Sequence, residues 1–391
     1  MIRSTVAHVD LAALQANFKA IQQFVESGFA DPKGNRRVAP KIIAVVKANA
    51  YGHGSERVAL ALEQAGATLL ACADIEEAVV LRRAGVRVPI LIFGALSVSD
   101  LDGLFEFSLT PTISTPSAAR AVQAAAAKHK TTVGSHLKID TGMNRLGFRH
   151  DNLRRTLPEL LASTNLRLDA LYTHFATADE PELPFFETQR ANFEAALKVV
   201  SELRGAAGPD RSSGTILIHA ANSAATLRDA RVWYDMVRPG LLLYGIVPPP
   251  LASTIPLTPV MSLTSRVIAV KGVRPGEGVG YGLRFTADTP VTTAVIPAGY
   301  ADGIDLRVSG RCSVLIRGRR VPIVGAVSMD MMMVDVTGLD EVSPGDDVVI
   351  IGRQGDESWQ QIDAREMAAA IGTIPWEIVC RIGSRIERQY R

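Results

Sequence analysis

Lys47 stands at the end of an apolar run, Ile42-Ile43-Ala44-Val45-Val46, and is followed closely by Tyr51, Gly52 and Gly54. A run without alternation is expected of a parallel strand covered on both faces. A lysine at the end of such a strand is poorly hydrated. Desolvation favours its neutral amine, a nucleophile able to join an aldehyde as a Schiff base. Tyr51 could offer its hydroxyl to an anion, and the two glycines let the backbone approach a ligand before a helix starts near Ser55. Taken alone, Lys47 more commonly reads as a surface lysine laying its stem on apolar neighbours.

Other polar residues fall at the ends of further apolar runs. Lys138 closes one of them, just ahead of Asp140-Thr141-Gly142-Met143-Asn144-Arg145. Another ends in Tyr172-Thr173-His174. A third leads into His219-Ala220-Ala221-Asn222-Ser223, whose side chains and amides could open a helix and cap a phosphate. Met236-Val237-Arg238-Pro239-Gly240 precedes a fourth. Each has a plain structural alternative: a hydrogen-bonded core histidine for His174, surface charges for Arg145 and Lys138, a helix cap for Ser223. Their shared placement at strand ends is what those alternatives leave unexplained.

The elements that must position them are legible as alternating runs. Strands are expected at Ile42–Val46, Leu69–Ala73, Ile90–Phe93, Leu109–Ile113, His136–Ile139, Ala170–Thr173, Ile216–His219 and Gly240–Tyr244. Helical patterns lie between them, among them Arg57–Gln64, Glu76–Ala84, Pro116–Lys128, Asn152–Leu161 and Phe186–Arg204. Eight such units suggest a (β/α)8 barrel of the TIM type, an α/β fold whose chemistry gathers at the C-terminal ends of its strands. The loops after the seventh and eighth strands are where barrels commonly hold phosphate, which suits Ser223 and Gly240. A doubly wound open sheet is the competing fold, weakened because no strand is followed by G-x-G-x-x-G. Beyond the proline-rich stretch 248–259 the runs become short and β-rich, separated by turn signals such as Pro344-Gly345-Asp346. We therefore expect a barrel over residues 1–250 and an all-β domain over 251–391, with one late helix near Asp363–Ala370.

Composition narrows the function classes. The chain has 391 residues, 47% hydrophobic and 21% charged, with a formal net charge of +2, as in an ordinary soluble protein. Its charges are scattered, so no nucleic-acid footprint is expected. Cys72, Cys312 and Cys380 are odd in number and far apart, which suits a reducing, cytoplasmic setting rather than a disulfide framework. Nothing reads as a signal peptide or a membrane span, and no metal site is expected.

The segments AVVKANAYGHG, KIDTGMNRLGF, YTHFA, HAANSAA, MVRPGLLLYG, VGYG, IPAGYADG and VGAVSMD occur in the order found in alanine racemases, and the chain resembles that family along essentially its whole length. The resemblance implies a pyridoxal 5′-phosphate enzyme that interconverts L- and D-alanine and supplies D-alanine for peptidoglycan. It also implies a homodimer with active sites shared across the interface. Lys47 would hold the cofactor as an internal aldimine and act as one base. Tyr281 would be the other, delivered by the partner's β-domain. Tyr51, Ser223, Gly240 and Leu241 match phosphate-binding positions, His174 the histidine beside the ring, and Arg238 the arginine at the ring nitrogen. Arg145 and Met329 match positions that meet the substrate carboxylate, with Tyr300 and Asp330 lining the same entrance.

The chemistry is coherent. Racemisation takes a proton from one face of Cα and returns one to the other, which two opposed bases accomplish. A free tyrosine, with a pKa of about 10, is a poor base at neutral pH, so Tyr281 requires cationic help of the kind a His174–Arg238 pair could give. Arg238 would also keep the ring nitrogen unprotonated. Lys138, close to Arg145 and expected to be buried, either packs its stem and leaves its ammonium in water or reacts with carbon dioxide. The family resemblance favours the carbamate, an anion able to hold Arg145. The alternatives are a racemase preferring another amino acid such as serine, a decarboxylase on a related barrel, and a non-enzymatic cofactor-binding protein. Arg238 and the Tyr281 motif argue against the second, and residues 255–391 against the third.

Overall fold

The computed structural model describes residues 4–28, 38–96, 101–206, 215–355 and 359–391. Eight strands follow one another around a ring: Lys41–Val45, Leu69–Cys72, Ile90–Ile92, Thr110–Ile113, Val133–Asp140, Leu166–Tyr172, Leu217–Asn222 and Met236–Arg238. Each pairs in parallel with the next. The eighth returns to the first through Met236↔Lys41 and Val237↔Ile42, so the sheet closes into a (β/α)8 barrel. The unalternated runs are explained by burial on both faces. Ile43, Val45, Ala71, Leu91, Ala170 and Met236 pack together as an inner cluster. The intervening Ile42, Ala44, Leu70 and Ile90 join the larger core under the helices.

Helices Ser55–Gln64, Ile75–Arg83, Pro116–Lys128 and Phe185–Ala206 cover the barrel. Their starts follow local chemistry: Asp74 accepts from the Glu77 amide, and Thr115 accepts from Ala118 with Pro116 at the first helical position.

The eighth strand is not where the apolar run placed it. Gly240–Tyr244 was the expected strand, but Leu241–Tyr244 forms a 3-10 turn and the strand is Met236–Arg238. Pro239 offers no N–H to a sheet, so the chain leaves the barrel there and buries its leucines as a turn. A short apolar run looks the same in either state.

The second sheet is largely antiparallel. It runs Ala269–Val273, Val291–Ile296, Met332–Asp335, Arg319–Val324, Ser313–Ile316, Asp347–Gln354 and Met261–Arg266 in spatial order. It then continues into the strand Val6–Val9, which pairs antiparallel with Met261–Arg266 and parallel with Glu387–Tyr390. The unit expected over residues 1–250 thus gives its first strand to the second sheet. The late helix is Ala364–Ile371, capped by Asp363, and a second short helix that was not expected, Pro375–Cys380, follows it.

Candidate active site

A cavity of about 480 Å³ opens at the C-terminal ends of the barrel strands. Lys47, Tyr51, Lys138, Arg145, His174, Ser223, Arg238, Gly240 and Leu241 all line it, joined by Tyr172, Asn222 and Trp376 among others. A wider recess of about 1050 Å³ lies at the opposite end, lined by strand-opening residues such as Lys41, Thr110 and Val133. Barrels place their chemistry at the first end, and that is where these side chains converge.

Lys47 begins a turn with an unusual backbone. Ala48, Asn49, Ala50 and Tyr51 have φ of 53°, 52°, 54° and 51°, and Gly52 follows at 81°. Left-handed conformation costs roughly 1–2 kcal/mol per residue for side chains with a Cβ, so four in a row must be held by their surroundings. Glu77 supplies much of that hold. Its carboxylate accepts from Ala48 N at 2.7 Å and from Ala73 N at 2.8 Å, tying the turn to the next strand end. Asn49 accepts from the Ser55 amide at 2.8 Å. Burial, then Arg145, lowers the Lys47 pKa and favours its neutral amine.

Tyr51 lies against the loop after the eighth strand. A Cβ on Gly240 would sit 2.6 Å from the Tyr51 hydroxyl, so only glycine leaves room there. Ser223 Oγ accepts from Gly240 N at 2.9 Å, which joins the loops after the seventh and eighth strands. Asn222, not Ser223, caps the short helix that follows, accepting from Ala225 N at 2.9 Å.

Arg238 is 4% exposed, and its hydrogen-bond acceptors among the described residues are all neutral. Nη2 donates to Thr173 O at 2.8 Å, Ala220 O at 2.9 Å and His174 Nδ1 at 3.2 Å, while Nη1 donates to His219 Nδ1 at 2.9 Å. Burial pushes its pKa down to about 10. Burial and this guanidinium together push His174 well below its ordinary value. Lys138 is buried beside the Tyr172 ring, its Nζ 5.7 Å from the ring centroid. Burial first, and Arg145 and Arg238 next, lower its pKa to about 8. Asp140 shapes the loop leading to Arg145 by accepting from Gly142 N and Asn144 N at 3.0 and 3.1 Å.

Four of the residues singled out in the sequence lie elsewhere. Tyr281 sits at the tip of a small hairpin, Gly278–Val279 against Phe285–Thr286, and is 77% exposed. Tyr300 N donates to Ser328 O at 3.0 Å and Ala301 N to Met329 O at 3.1 Å, so these two loops form one patch with Asp330. Asp330 pairs with Arg385. The chain gathers Tyr281, Tyr300, Met329 and Asp330 on its second domain, outside the lining of its own cavity. Nothing in the sequence singles out Glu77, Tyr172 or His136, and His219 stands out only within the segment offered for helix opening and phosphate capping, not for its contact with Arg238. An acid one turn into a helix and aromatic residues inside strands carry no local mark of their contacts.

Family models for the alanine racemase N-terminal and C-terminal domains match residues 9–248 and 260–390. Among curated proteins, the alanine racemase of Halothermothrix orenii is 38% identical over 390 residues, covering 100% of this chain and 97% of that protein. That of Synechocystis is 38% identical, covering 99% of each. Among solved structures, alanine racemase from D-cycloserine-producing Streptomyces lavendulae superposes with a TM-score of 0.89 at 32% identity, over 100% of this chain and 98% of that one. The biosynthetic alanine racemase of Pseudomonas aeruginosa gives 0.83 at 31%, over 100% of both. With both family models matched and relatives of this identity covering it from end to end, the chain belongs to the alanine racemase family.

Proposed function

We propose that this protein interconverts L-alanine and D-alanine with pyridoxal 5′-phosphate, using Lys47 and Tyr281 as opposed bases, and that the D-alanine serves bacterial peptidoglycan. The observation that carries the assignment of roles is the convergence of Lys47, Tyr51, Arg145, His174, Ser223, Arg238 and Gly240 on one strand-end cavity.

The residues fit the cofactor. The Tyr51 hydroxyl, set against Gly240, and Ser223, whose Oγ accepts from Gly240 N beside the Leu241 loop, would hold the phosphate. Arg238, surrounded by neutral acceptors, suits a ring nitrogen that keeps its lone pair. When bound, pyridoxal phosphate supplies an aldehyde that joins amines covalently and a conjugated ring that spreads the electron pair released at Cα.

Lys47 Nζ, made less basic by burial, accepts the Cα proton of D-alanine and returns one to form it. Tyr281 does the same for L-alanine from the other face. It reaches the cavity of a second copy, where Arg238 and His174 stand hydrogen-bonded to each other. Arg145 meets the substrate carboxylate, and Met329, Tyr300 and Asp330 of the second copy line the entrance. The exposed Tyr281, Leu283, Tyr300, Met329 and Met331 fit a surface that a symmetric homodimer covers. No described helix is long and apolar enough to cross a membrane, and the assignment places the enzyme in the cytoplasm.

Lys138 carries a carbamate in this reading. Its neutral amine attacks carbon dioxide, forms a C–N bond and releases one proton. The resulting anion accepts from Arg145 where an ammonium would repel it. Burial that lowers the pKa to about 8 supports the reaction. Lys138→Ala should raise the KM for alanine, with partial recovery on adding a small carboxylate. Clear density ending at an ammonium, with no anion beside Arg145, would defeat the carbamate.

The test of the whole proposal is a chiral assay of the cofactor-loaded protein against L-alanine, L-serine and other amino acids. Alanine should racemise fastest. Preference for serine would favour the alternative specificity, and no turnover of alanine would overturn the assignment.

A further inference from the structure

A second set of hydrogen bonds leaves Arg238 on the side away from His174 and runs into the barrel interior. His219, on the seventh strand, receives Arg238 Nη1 at its Nδ1, 2.9 Å away. Its other nitrogen, Nε2, lies 3.0 Å from Nδ1 of His136 on the fifth strand. His219 is wholly buried and His136 nearly so. The His219 ring stacks on Tyr172, centroids 4.7 Å apart and planes 10° from parallel, which restrains it from turning over.

Donor and acceptor chemistry gives this chain a direction. A guanidinium can only donate, so His219 Nδ1 must accept. A neutral His219 then carries its proton on Nε2 and donates it to His136 Nδ1. His136 in turn keeps its proton on Nε2. Burial, foremost, with Arg238 beside it, lowers the pKa of His136 to about 4 and that of His219 well below its usual value, so both rings are neutral. Facing His136 are Arg238, His219 and, across the recess at the strand starts, the carboxylate of Asp169, which does not offset the burial.

We infer that His136 is a positioning residue for the racemisation: by accepting from His219 it fixes the tautomer through which His219 holds the Arg238 guanidinium at the floor of the cavity. Without that acceptor, the Nε2 proton of His219 is left buried with no partner, which removes the second support of the tautomer that Arg238 requires. Where the proton moves to Nδ1, donor faces donor and the guanidinium shifts from its place. The catalytic consequence rests on the racemase assignment, whereas the tautomers do not.

The experiment uses ¹⁵N-histidine-labelled protein, with and without pyridoxal phosphate, and the variants His136→Leu and His136→Asn. In the wild type, NMR should find both rings neutral and protonated on Nε2. A proton on Nδ1 of His219, or a doubly protonated ring at neutral pH, overturns the inference. His136→Leu should lose about tenfold or more in kcat, the scale of losing an outer-shell partner, and should shift the absorbance of the bound cofactor. His136→Asn, whose Oδ1 replaces the accepting nitrogen, should keep most of both. Equal losses in the two variants would mean packing alone and would also overturn it. If His136→Leu does not fold, the wild-type spectra and the Asn variant decide. Correct tautomers in a protein that does not racemise alanine would count against the enzyme assignment and leave the hydrogen-bond chain standing.

Discussion

At the scale of single residues, exposure separates the two proposed bases. Lys47 is held in a cavity by its neighbours, whereas Tyr281 projects from a hairpin tip. Tyr281→Phe removes one oxygen from an exposed ring, so the stability of the isolated chain should change by no more than about 0.5 kcal/mol. The kcat for L-alanine should nevertheless fall by about a hundredfold or more, the ordinary contribution of a positioned base. Loss of deuterium from Cα-deuterated L-alanine is the direct measure. An unchanged rate in that variant would remove Tyr281 from the mechanism. Gly240 illustrates how the site tolerates little at its phosphate end, because its missing Cβ is the room that Tyr51 occupies.

At the scale of elements, the left-handed turn from Ala48 to Tyr51 sets where Lys47 begins. Ala48→Val would place a β-branched side chain at φ 53°, at a cost of about 2 kcal/mol. Denaturant unfolding should show that loss, together with weaker cofactor uptake. Ala48→Gly should stay within about 1 kcal/mol of the parent, since relief of strain offsets added chain freedom. A valine variant as stable as the parent would mean the turn is not strained. Much of this architecture could be read from sequence. The first strand was plain because both of its faces are buried, and Lys47 and His174 stood out because strand ends are where barrels keep chemistry, whereas Arg238 lay ahead of the expected eighth strand and owed its role to family likeness. Leu241–Tyr244 misled because an apolar run buried as a turn has the composition of a strand. Glu77 and the His136–His219 contact were invisible because their partners come from other elements, joined only by folding. The grouping of Tyr281, Tyr300, Met329 and Asp330 came from family likeness rather than from residue pattern.

At the scale of the whole molecule, a shared active site and a shared burial of histidine each have a measurable outcome. Mixing Lys47→Ala chains with Tyr281→Phe chains should restore about one quarter of wild-type activity, from half the dimers being hybrids with one intact site each. No recovery after verified exchange of subunits would oppose the homodimer. His53 and His136 are buried with pKa values lowered to about 4, and burial likewise holds His174 and His219 well below their ordinary value. The unfolded chain binds protons at these positions below about pH 6.5, where the folded one does not. Stability is therefore fully present above pH 6.5 and declines as pH falls toward 4, by roughly 3 kcal/mol for each of the first two. Melting temperatures across that range should fall steeply, and a flat profile would mean the rings are already charged. The strand Val6–Val9 bears on a different matter, the order in which a nascent chain can assemble. Thr5, just ahead of it, bonds to Ser265 across 260 residues, and Val9 pairs with both Met261 and Tyr390. On a ribosome this strand emerges long before either neighbour, with the helix Leu11–Gly28 directly behind it. The barrel can close while this strand of the second sheet is still unpaired, and only the late-made strands can cover it. Protection of the Ala7 and Val9 amides should accordingly be absent in ribosome-bound chains that stop short of Met261 and complete only once Tyr390 is made, so that a strand made well before its partners is sealed late.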